Sequence, residues 1–237
     1  MKTAIDDDGT PEPVVPDEFA DAFGAEPAGV STRVSGVLRA IRHMILTGEL
    51  LPGEQLRQDQ LAKRLDASRI PVREALMTLA SEGVVTHTPH AGFTVKKFSR
   101  AEISEIYLMR RLLEAELLRS VDLERVDLEA LRTLNDNLAD VSGETLLWRR
   151  KYYNRRFHFL LFDMSPLAII REQVERLWNM SEYARSLYAY DGTSHDRIVT
   201  EHTRIVQAVA DRDTEALVQA SEEHRANAER LILQRIR

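Results

Sequence analysis

Cysteine is absent from the 237-residue sequence. Its absence excludes disulfide bonds, thiolate-ligated metal sites and a cysteine nucleophile. Long apolar runs are missing as well, because no stretch approaches the roughly 18 consecutive apolar residues that a membrane-spanning helix needs. The first residues also lack the basic and then apolar pattern of a secretory signal. We therefore expect a cytoplasmic protein that has no membrane partner.

The net charge argues at first against nucleic acid as a partner, because the chain carries a formal charge of −6. The charge is unevenly distributed, however. Residues 1–30 carry one Lys and eight Asp or Glu, whereas residues 31–98 carry ten Lys or Arg and six Asp or Glu. Phosphate binding depends on local positive charge. Residues 31–98 are therefore the candidate nucleic-acid-binding segment.

Composition and periodicity divide the chain into three parts. Residues 1–30 are rich in Asp, Pro, Gly and Ala and have no hydrophobic periodicity, which predicts a disordered acidic tail. Residues 31–98 predict short helices followed by two strands, and residues 99–237 predict helices alone. The expected fold class is mainly α, with an N-terminal winged helix-turn-helix and a C-terminal all-α antiparallel bundle.

The N-terminal part combines helical spacing with a predicted hairpin. The predicted elements are helices over 32–47, 58–65 and 68–82 and strands over 84–88 and 93–97. Ser68 is the expected N-cap of the third helix. Two short helices joined by a tight turn and followed by a hairpin are typical of a DNA-binding domain, in which the second of them enters the major groove.

The N-terminal turn of that third helix carries the candidate base contacts. Arg69 and Arg73 lie four residues apart and therefore share one helix face. An arginine fork can bind a phosphate or the O6 and N7 atoms of guanine. The alternative is a small helical domain whose arginines form surface ion pairs with Glu74 or Asp66. The candidate DNA-binding residues are Arg57, Ser68, Arg69, Ile70, Arg73, His90 and Gly92.

A longer motif favours DNA binding. The motif consists of Gly48-x-Leu50-x-Pro52-Gly53, then Ser68-Arg69-Ile70-Pro71-Val72-Arg73-Glu74-Ala75-Leu76, then Gly92-Phe93-x-Val95. Over about residues 32–97 it resembles the GntR family of transcriptional regulators. The resemblance implies that Arg69 and Arg73 contact operator DNA and that the wing tip, with His90 and Gly92, enters the minor groove. Gln58 departs from the family pattern, in which Glu is usual at this position.

Beyond residue 98 the sequence predicts helices throughout. Ser99 and Glu102 form a capping-box pattern, which marks the start of the first helix. The predicted helices span about 99–121, 127–141, 143–164, 166–189, 195–211 and 214–235. Six helices with almost no strand predict an antiparallel bundle.

Three of the seven histidines lie on apolar helix faces of this bundle. His158, His202 and His224 each have apolar neighbours one turn away, so each should point inward. His202 and His224 are 22 residues apart on consecutive helices and should come close together. A single inward histidine is more often a hydrogen-bonded core residue. Three of them, with Asn154 one turn before His158, suit a metal ion.

These positions also resemble the FCD ligand-binding domain of FadR-type GntR regulators. The matching residues are Asn154-x-x-Phe157-His158, Glu201-His202, His224 and Arg110-x-x-Leu113-Glu114. Six helices are closer to the VanR-like branch of that group. The resemblance implies that Asn154, His158, His202 and His224 hold a divalent ion of the Zn, Ni or Mn type, and that an organic acid completes its coordination. Asn154 stands where Asp is commoner, which removes a negative charge and should weaken metal binding.

Two arginines are candidates for the carboxylate of such an acid. Arg110 is expected to face inward, and its fork of donors matches a carboxylate. The alternative for Arg110 is a structural ion pair with Glu114 on the same helix. Arg150, one turn before Asn154, is the second candidate for effector binding.

Together these features predict a DNA-binding transcriptional regulator, expected to be a repressor, and not an enzyme. A homodimer would place two recognition helices in successive major grooves of a palindromic operator. A small carboxylate would then change the relative placement of the two helices. One alternative is a metal-dependent hydrolase with an accessory DNA-binding domain, although no side chain is clearly placed as a general base. Another is a DNA-binding regulator without a metal or effector.

Overall fold

The computed structural model describes residues 31–141, 147–188 and 195–236. The first part of the chain contains α1 (Thr32–Leu46), β1 (Gln55–Leu56), α2 (Gln58–Arg64), α3 (Arg69–Ser81), β2 (Val85–Thr88) and β3 (Gly92–Val95). These elements form the predicted winged helix-turn-helix. The tail predicted for residues 1–30 lies outside the described residues.

The second part is the predicted helical bundle. Its six described helices are α4 (Arg100–Arg119), α5 (Leu128–Ala139), α6 (Leu147–Phe162), α7 (Ala168–Tyr188), α8 (His195–Ala210) and α9 (Thr214–Arg235). The capping box at the start of α4 is present, because the Ser99 hydroxyl accepts from the Glu102 backbone N–H and the Glu102 carboxylate accepts from the Ser99 backbone N–H. The boundary expected near residue 98 falls in the short connection between β3 and α4.

The small sheet has one strand more than the sequence pattern indicates. Its strand order is β1–β3–β2, and both pairings are antiparallel. β2 and β3 form the predicted wing hairpin, with bounds shifted by one or two residues. No sequence pattern indicates β1, because only Gln55 and Leu56 pair with β3 and two residues are too few to establish a period.

The core of the first part lies between α1 and α3. Leu38, Ile41 and Ile45 on α1 and Leu76 and Leu79 on α3 are fully buried at the positions of the apolar pattern. Burial of each such side chain contributes roughly 1.5–3 kcal/mol. This packing fixes the recognition helix α3 by one face and leaves its opposite face in solvent.

The two parts of the chain share this core. Tyr183 of α7 is buried within it, and Tyr152 of α6 packs against it. Met180 of α7 lies 3.3 Å from the position that a Cβ would take on Gly83, whose φ is +75°. The C-terminal end of α3 therefore sits directly against the bundle.

A second core fills the bundle around α6, α8 and α9. Its buried residues include Phe157 and Phe162 on α6, Ile205 on α8 and Leu217 on α9. The three helices that carry the predicted metal ligands are therefore packed on a common core. Within the described segments, no helix combines the length and the apolar character needed to cross a membrane.

Candidate metal centre and DNA-binding surface

The three inward histidines meet at one point in the bundle. His158 on α6, His202 on α8 and His224 on α9 are all buried, and their ligand nitrogens lie within 4.8 Å of one another. The Nε2 atoms of His158 and His224 are 3.2 Å apart. The His202 ring stacks on Phe157 at a centroid distance of 3.9 Å, which holds the plane of the imidazole. Side chains from three helices therefore converge, as the apolar spacing around each histidine indicates.

Burial keeps these imidazoles neutral. It lowers the pKa of His158 and of His202 well below the ordinary value, and neighbouring histidines lower both further. Burial lowers the pKa of His224 as well, although Glu201 opposes that shift. At neutral pH each ring therefore carries a lone pair, which is the form that ligates a metal.

Glu201 sets the tautomer of His224. Its Oε2 atom accepts a hydrogen bond from Nδ1 of His224 at 2.7 Å, and its Oε1 atom accepts one from Nδ2 of Asn227 at 2.6 Å. The proton on Nδ1 leaves Nε2 of His224 with the free lone pair. A carboxylate behind a ligating histidine orients the ring and raises its basicity. Chain spacing predicts that these two helices bring His202 and His224 together, but no pattern indicates that Glu201 accepts from His224.

His202 is the member of the cluster that the protein leaves unsatisfied. Neither Nδ1 nor Nε2 has a hydrogen-bond partner among the described residues, although both atoms are buried. A buried polar atom without a partner costs roughly 1–3 kcal/mol. The Nε2 atoms of His158 and His224 are at hydrogen-bonding distance, 3.2 Å, so without a metal the Nε2–H of one ring would donate to Nε2 of the other. A divalent cation would accept a lone pair from each ring, so this donor set fits a metal ion.

A pocket opens beside the histidine cluster. It holds about 750 Å³ including its mouth, and its wall contains Asn154 and His224. The charged side chains that line it are four cations and two carboxylates: Arg150, Lys151, Arg185, Arg197, Glu182 and Glu201. Among the described lining residues, the charge balance favours an anionic ligand.

Of these lining cations, the sequence indicates only Arg150. Its Nε and Nη2 atoms donate to the Val141 carbonyl at 3.2 and 3.0 Å, which fixes the side chain beside the pocket. Arg185 forms an ion pair with Glu182. Burial lowers the pKa of Lys151 to about 8, and Glu182 opposes that shift. No pattern points to Lys151 or Arg185, because long charged side chains are usually solvated.

Arg110 is not among the described residues that line the pocket. Its guanidinium donates to Oε1 of Glu114 at 2.6 Å and to the Ser181 hydroxyl at 2.8 Å, while Oε2 of Glu114 accepts from Arg225 at 2.6 Å. Burial raises the pKa of Glu114, but the two arginines outweigh burial and keep it below its ordinary value. The structural pair with Glu114 is therefore present, and the role of Arg110 in effector binding stays a prediction.

The first recognition arginine already has an acidic neighbour. Arg69, whose side chain is 72% exposed, forms an ion pair with Asp59 of α2. The partner is therefore neither Glu74 nor Asp66. Asp59 is distant from Arg69 along the chain, but the turn between α2 and α3 brings the two side chains together. An exposed pair of this kind stabilises the fold by at most about 1 kcal/mol, so DNA can compete for Arg69.

The rest of the recognition face is open to solvent. Ile70 is 70% exposed, and Arg73 is exposed one turn further along α3. Ser68 occupies the expected N-cap position with an extended backbone, but its side chain makes no capping hydrogen bond. Arg57 is exposed at the start of α2. Free N–H groups at a helix N-terminus and an unengaged hydroxyl can both bind phosphate.

The wing tip is a tight turn that projects His90 into solvent. His90 has a φ of +65° and Gly92 a φ of +90°. The Ala91 N–H donates to the Thr88 carbonyl at 3.1 Å. Nε2 of Gln55 on β1 donates to the Ala91 carbonyl at 3.0 Å, so the additional strand braces the wing.

Two protein families match the two parts of the chain. The bacterial regulatory proteins of the gntR family match residues 33–95, and the FCD domain matches residues 105–227. The chain belongs to the GntR family. The assignment confirms both resemblances, the one based on the Ser68–Leu76 motif and the one based on the histidine spacing.

Other GntR regulators align with most of the chain. The helix-turn-helix-type transcriptional regulator YdhC of Bacillus subtilis is 28% identical over 186 residues, which cover 76% of this chain and 81% of the relative. A regulator in an unstable DNA locus of Streptomyces ambofaciens is 30% identical over 175 residues, or 73% of each chain. A solved GntR regulator from Rhodococcus sp. RHA1 superposes with a TM-score of 0.74 at 25% identity, covering 87% of this chain and 100% of that one.

The family defines the general activity of the protein. This GntR protein is a DNA-binding transcriptional regulator and not an enzyme. The metal-dependent hydrolase, the alternative that the histidine cluster left open, is therefore excluded. The helical fold and the winged helix-turn-helix agree with the solved GntR structure.

Proposed function

We propose that this GntR regulator is a cytoplasmic, homodimeric repressor that releases a palindromic operator when a small carboxylate binds at a metal in the bundle. The observation that carries the proposal is the buried histidine cluster beside the cation-lined pocket. Both nitrogens of His202 lack partners within the described residues. Four cationic side chains line the adjoining pocket.

The operator contacts are assigned to the exposed face of α3 and to the wing. The residues assigned to this surface are Arg57, Ser68, Arg69, Ile70, Arg73, His90 and Gly92. Arg73 has no ion-pair partner among the described residues, so its fork is available for a phosphate or a guanine. Binding of Arg69 to DNA requires only the exchange of one exposed ion pair with Asp59.

The metal is assigned to Asn154, His158, His202 and His224. Three neutral imidazoles and an amide oxygen suit a divalent ion of the Zn, Ni or Mn type. When bound, the ion supplies a buried positive charge to which a carboxylate oxygen can bind. Glu201 holds the ring of His224 in the tautomer that leaves Nε2 free for the ion.

The effector is assigned to the pocket beside these ligands. Arg150 and Arg197 are present in its wall, and Arg197 Nε lies 3.4 Å from Oε1 of Glu201. An anionic ligand would therefore meet both the metal and arginine donors. Arginine forks match the two oxygens of a carboxylate.

Helix α6 supplies a route from the pocket to the DNA-binding part. His158 belongs to the cluster, Lys151 lines the pocket, and Tyr152 packs against the N-terminal core. A ligand that displaces α6 would therefore act on the N-terminal core through Tyr152.

The dimer contact is assigned to an apolar strip on α4. Leu108, Met109 and Leu112 are 47%, 43% and 56% exposed, and they share one side of that helix. Contiguous exposed apolar side chains mark interaction surfaces. A second copy of the chain can cover the strip in a two-fold contact.

Operator binding under ligand control tests the proposal. Fluorescence anisotropy would follow metal-loaded chain on a fluorescent operator selected from random duplex DNA, with lactate and succinate among a panel of small carboxylates. We expect at least one acid to weaken binding at least tenfold, and the same acid to leave an Arg150→Ala/Arg197→Ala variant on the DNA. A regulator with neither metal nor effector would bind the operator equally with every acid and without any, and that result would overturn the proposal.

A further inference from the structure

Ile70 is an aliphatic side chain in an unusual place. It lies in the first turn of α3, and 70% of its surface is exposed to solvent. We propose that Ile70 is a specificity-determining residue that reads a thymine by contact with its C5-methyl group in the major groove. The inference rests on operator binding through α3 and does not require a metal or an effector.

The orientation of α3 places Ile70 on the DNA side. Val72, Leu76 and Leu79 are buried in the N-terminal core. Ile70 and Arg73 are three residues apart and therefore neighbours on the opposite face. In helix-turn-helix proteins the N-terminal residues of this helix reach base edges. Ile70 is therefore carried into the groove together with Arg73.

Neighbouring side chains leave Ile70 largely uncovered. In the free chain the guanidinium of Arg69 pairs with Asp59 of α2. The surface of Ile70 is 70% exposed, so no side chain of the described residues covers most of it.

The chemistry of the side chain selects the base. An isoleucine has no donor or acceptor, so it cannot read the hydrogen-bonding edges of guanine, cytosine or adenine. Thymine alone presents a methyl group in the major groove. Removal of the thymine methyl group and truncation of the Ile70 side chain should each weaken operator binding by roughly threefold to tenfold.

Replacement of thymine by deoxyuridine removes the methyl group and leaves every hydrogen-bonding atom in place. The operator would be selected from random duplexes with the full chain, and each thymine pair related by the operator symmetry would then be replaced in turn. We expect replacement at one symmetric pair of thymines to lower the affinity of the parent chain for the operator roughly threefold to tenfold. Ile70→Ala should bind the parent operator with a similar loss and should no longer distinguish thymine from deoxyuridine.

Two further variants control the experiment. Ile70→Val keeps most of the apolar surface and should retain part of the discrimination. Met77→Ala removes a side chain that is 45% exposed two turns along α3 and should discriminate as the parent does. Suppose that an operator is selected, but every deoxyuridine replacement lowers the affinity of the parent no more than that of Ile70→Ala. The inference about Ile70 would then be overturned, while operator binding would stand. If no sequence is selected at all, operator binding fails and the inference fails with it.

Discussion

The Nδ1 atom of His224 lies 2.7 Å from Oε2 of Glu201, and this hydrogen bond decides which nitrogen of the ring is free. The free atom, Nε2, is the one that lies 3.2 Å from Nε2 of His158. Glu201 is not one of the proposed metal ligands, but it orients the ring of His224, which is. The metal proposed for the cluster should consequently depend on Glu201 even though Glu201 is not one of its ligands.

Glu201→Gln should weaken metal binding by roughly 10-fold to 100-fold, the usual effect of removing such a supporting carboxylate. The amide can still occupy the space, but it loses the charge that stabilises the Nδ1 proton. Competition with a chromogenic chelator would measure the affinity. Glu222→Gln, an exposed position on the same helix as His224, should leave the affinity unchanged. Equal affinities for the parent and Glu201→Gln would show that Glu201 is a structural residue only.

Asn154→Asp should tighten metal binding by roughly tenfold, because a carboxylate adds a full negative charge where an amide offers only a dipole. Asn154 is buried and lines the pocket beside His224, so solvent should screen the added charge only weakly. The same chelator competition reports the change. No gain in affinity would remove Asn154 from the ligand set.

Two glycines in the DNA-binding part should respond in opposite ways to alanine. Gly36 lies within α1 with nothing near its missing Cβ, so Gly36→Ala should stabilise the chain by roughly 0.5–1 kcal/mol. Gly83 has a φ of +75°, and its Cβ would meet Met180 at 3.3 Å. Gly83→Ala should therefore destabilise the chain by more than about 1 kcal/mol. Urea denaturation measures both, and a neutral Gly83→Ala would contradict the backbone strain expected from the positive φ of Gly83.

The capping box at α4 predicts a pH dependence. The pKa of Glu102 falls to about 2, because Lys96 and the Ser99 backbone N–H bind its carboxylate. Its contribution to stability should therefore be complete above the ordinary value near 4.5 and should disappear as the pH falls from there toward 2. Glu102→Gln should accordingly be less stable than the parent at pH 7, and the two should converge in acid. Ser99→Ala should cost about 1 kcal/mol, and part of that cost should also disappear in acid, because the Ser99 hydroxyl donates to the same carboxylate. A pH-independent difference for Glu102→Gln would contradict this account.

Local patterns in the sequence are sufficient for much of the fold. The apolar spacing of Leu38, Ile41 and Ile45 predicts α1, and Ser99 with Glu102 marks the start of α4. The convergence of His158 and His202 also follows from spacing, because each lies on the apolar face of its helix. Signals of this kind are carried by residues within one or two turns of each other.

Features that depend on contacts between distant segments are harder to predict. β1 exists only because Gln55 and Leu56 meet β3. The ion pair of Arg69 with Asp59, rather than with Glu74, depends on the turn between two helices. Arg110 faces inward as expected, yet its donors are engaged by Glu114 and Ser181, and no property of the sequence distinguishes that pairing from an effector clamp.

The three buried histidines should together hold one metal ion, and elemental analysis tests this most directly. Purified chain would be loaded separately with Zn, Ni and Mn, desalted and measured beside a His202→Ala/His224→Ala variant. His87→Ala, which removes an exposed histidine on the wing, is the matched control. We expect about one ion per chain in the parent and in His87→Ala and essentially none in the double variant. A parent that retains no ion, or a double variant that retains as much as the parent, would contradict the claim.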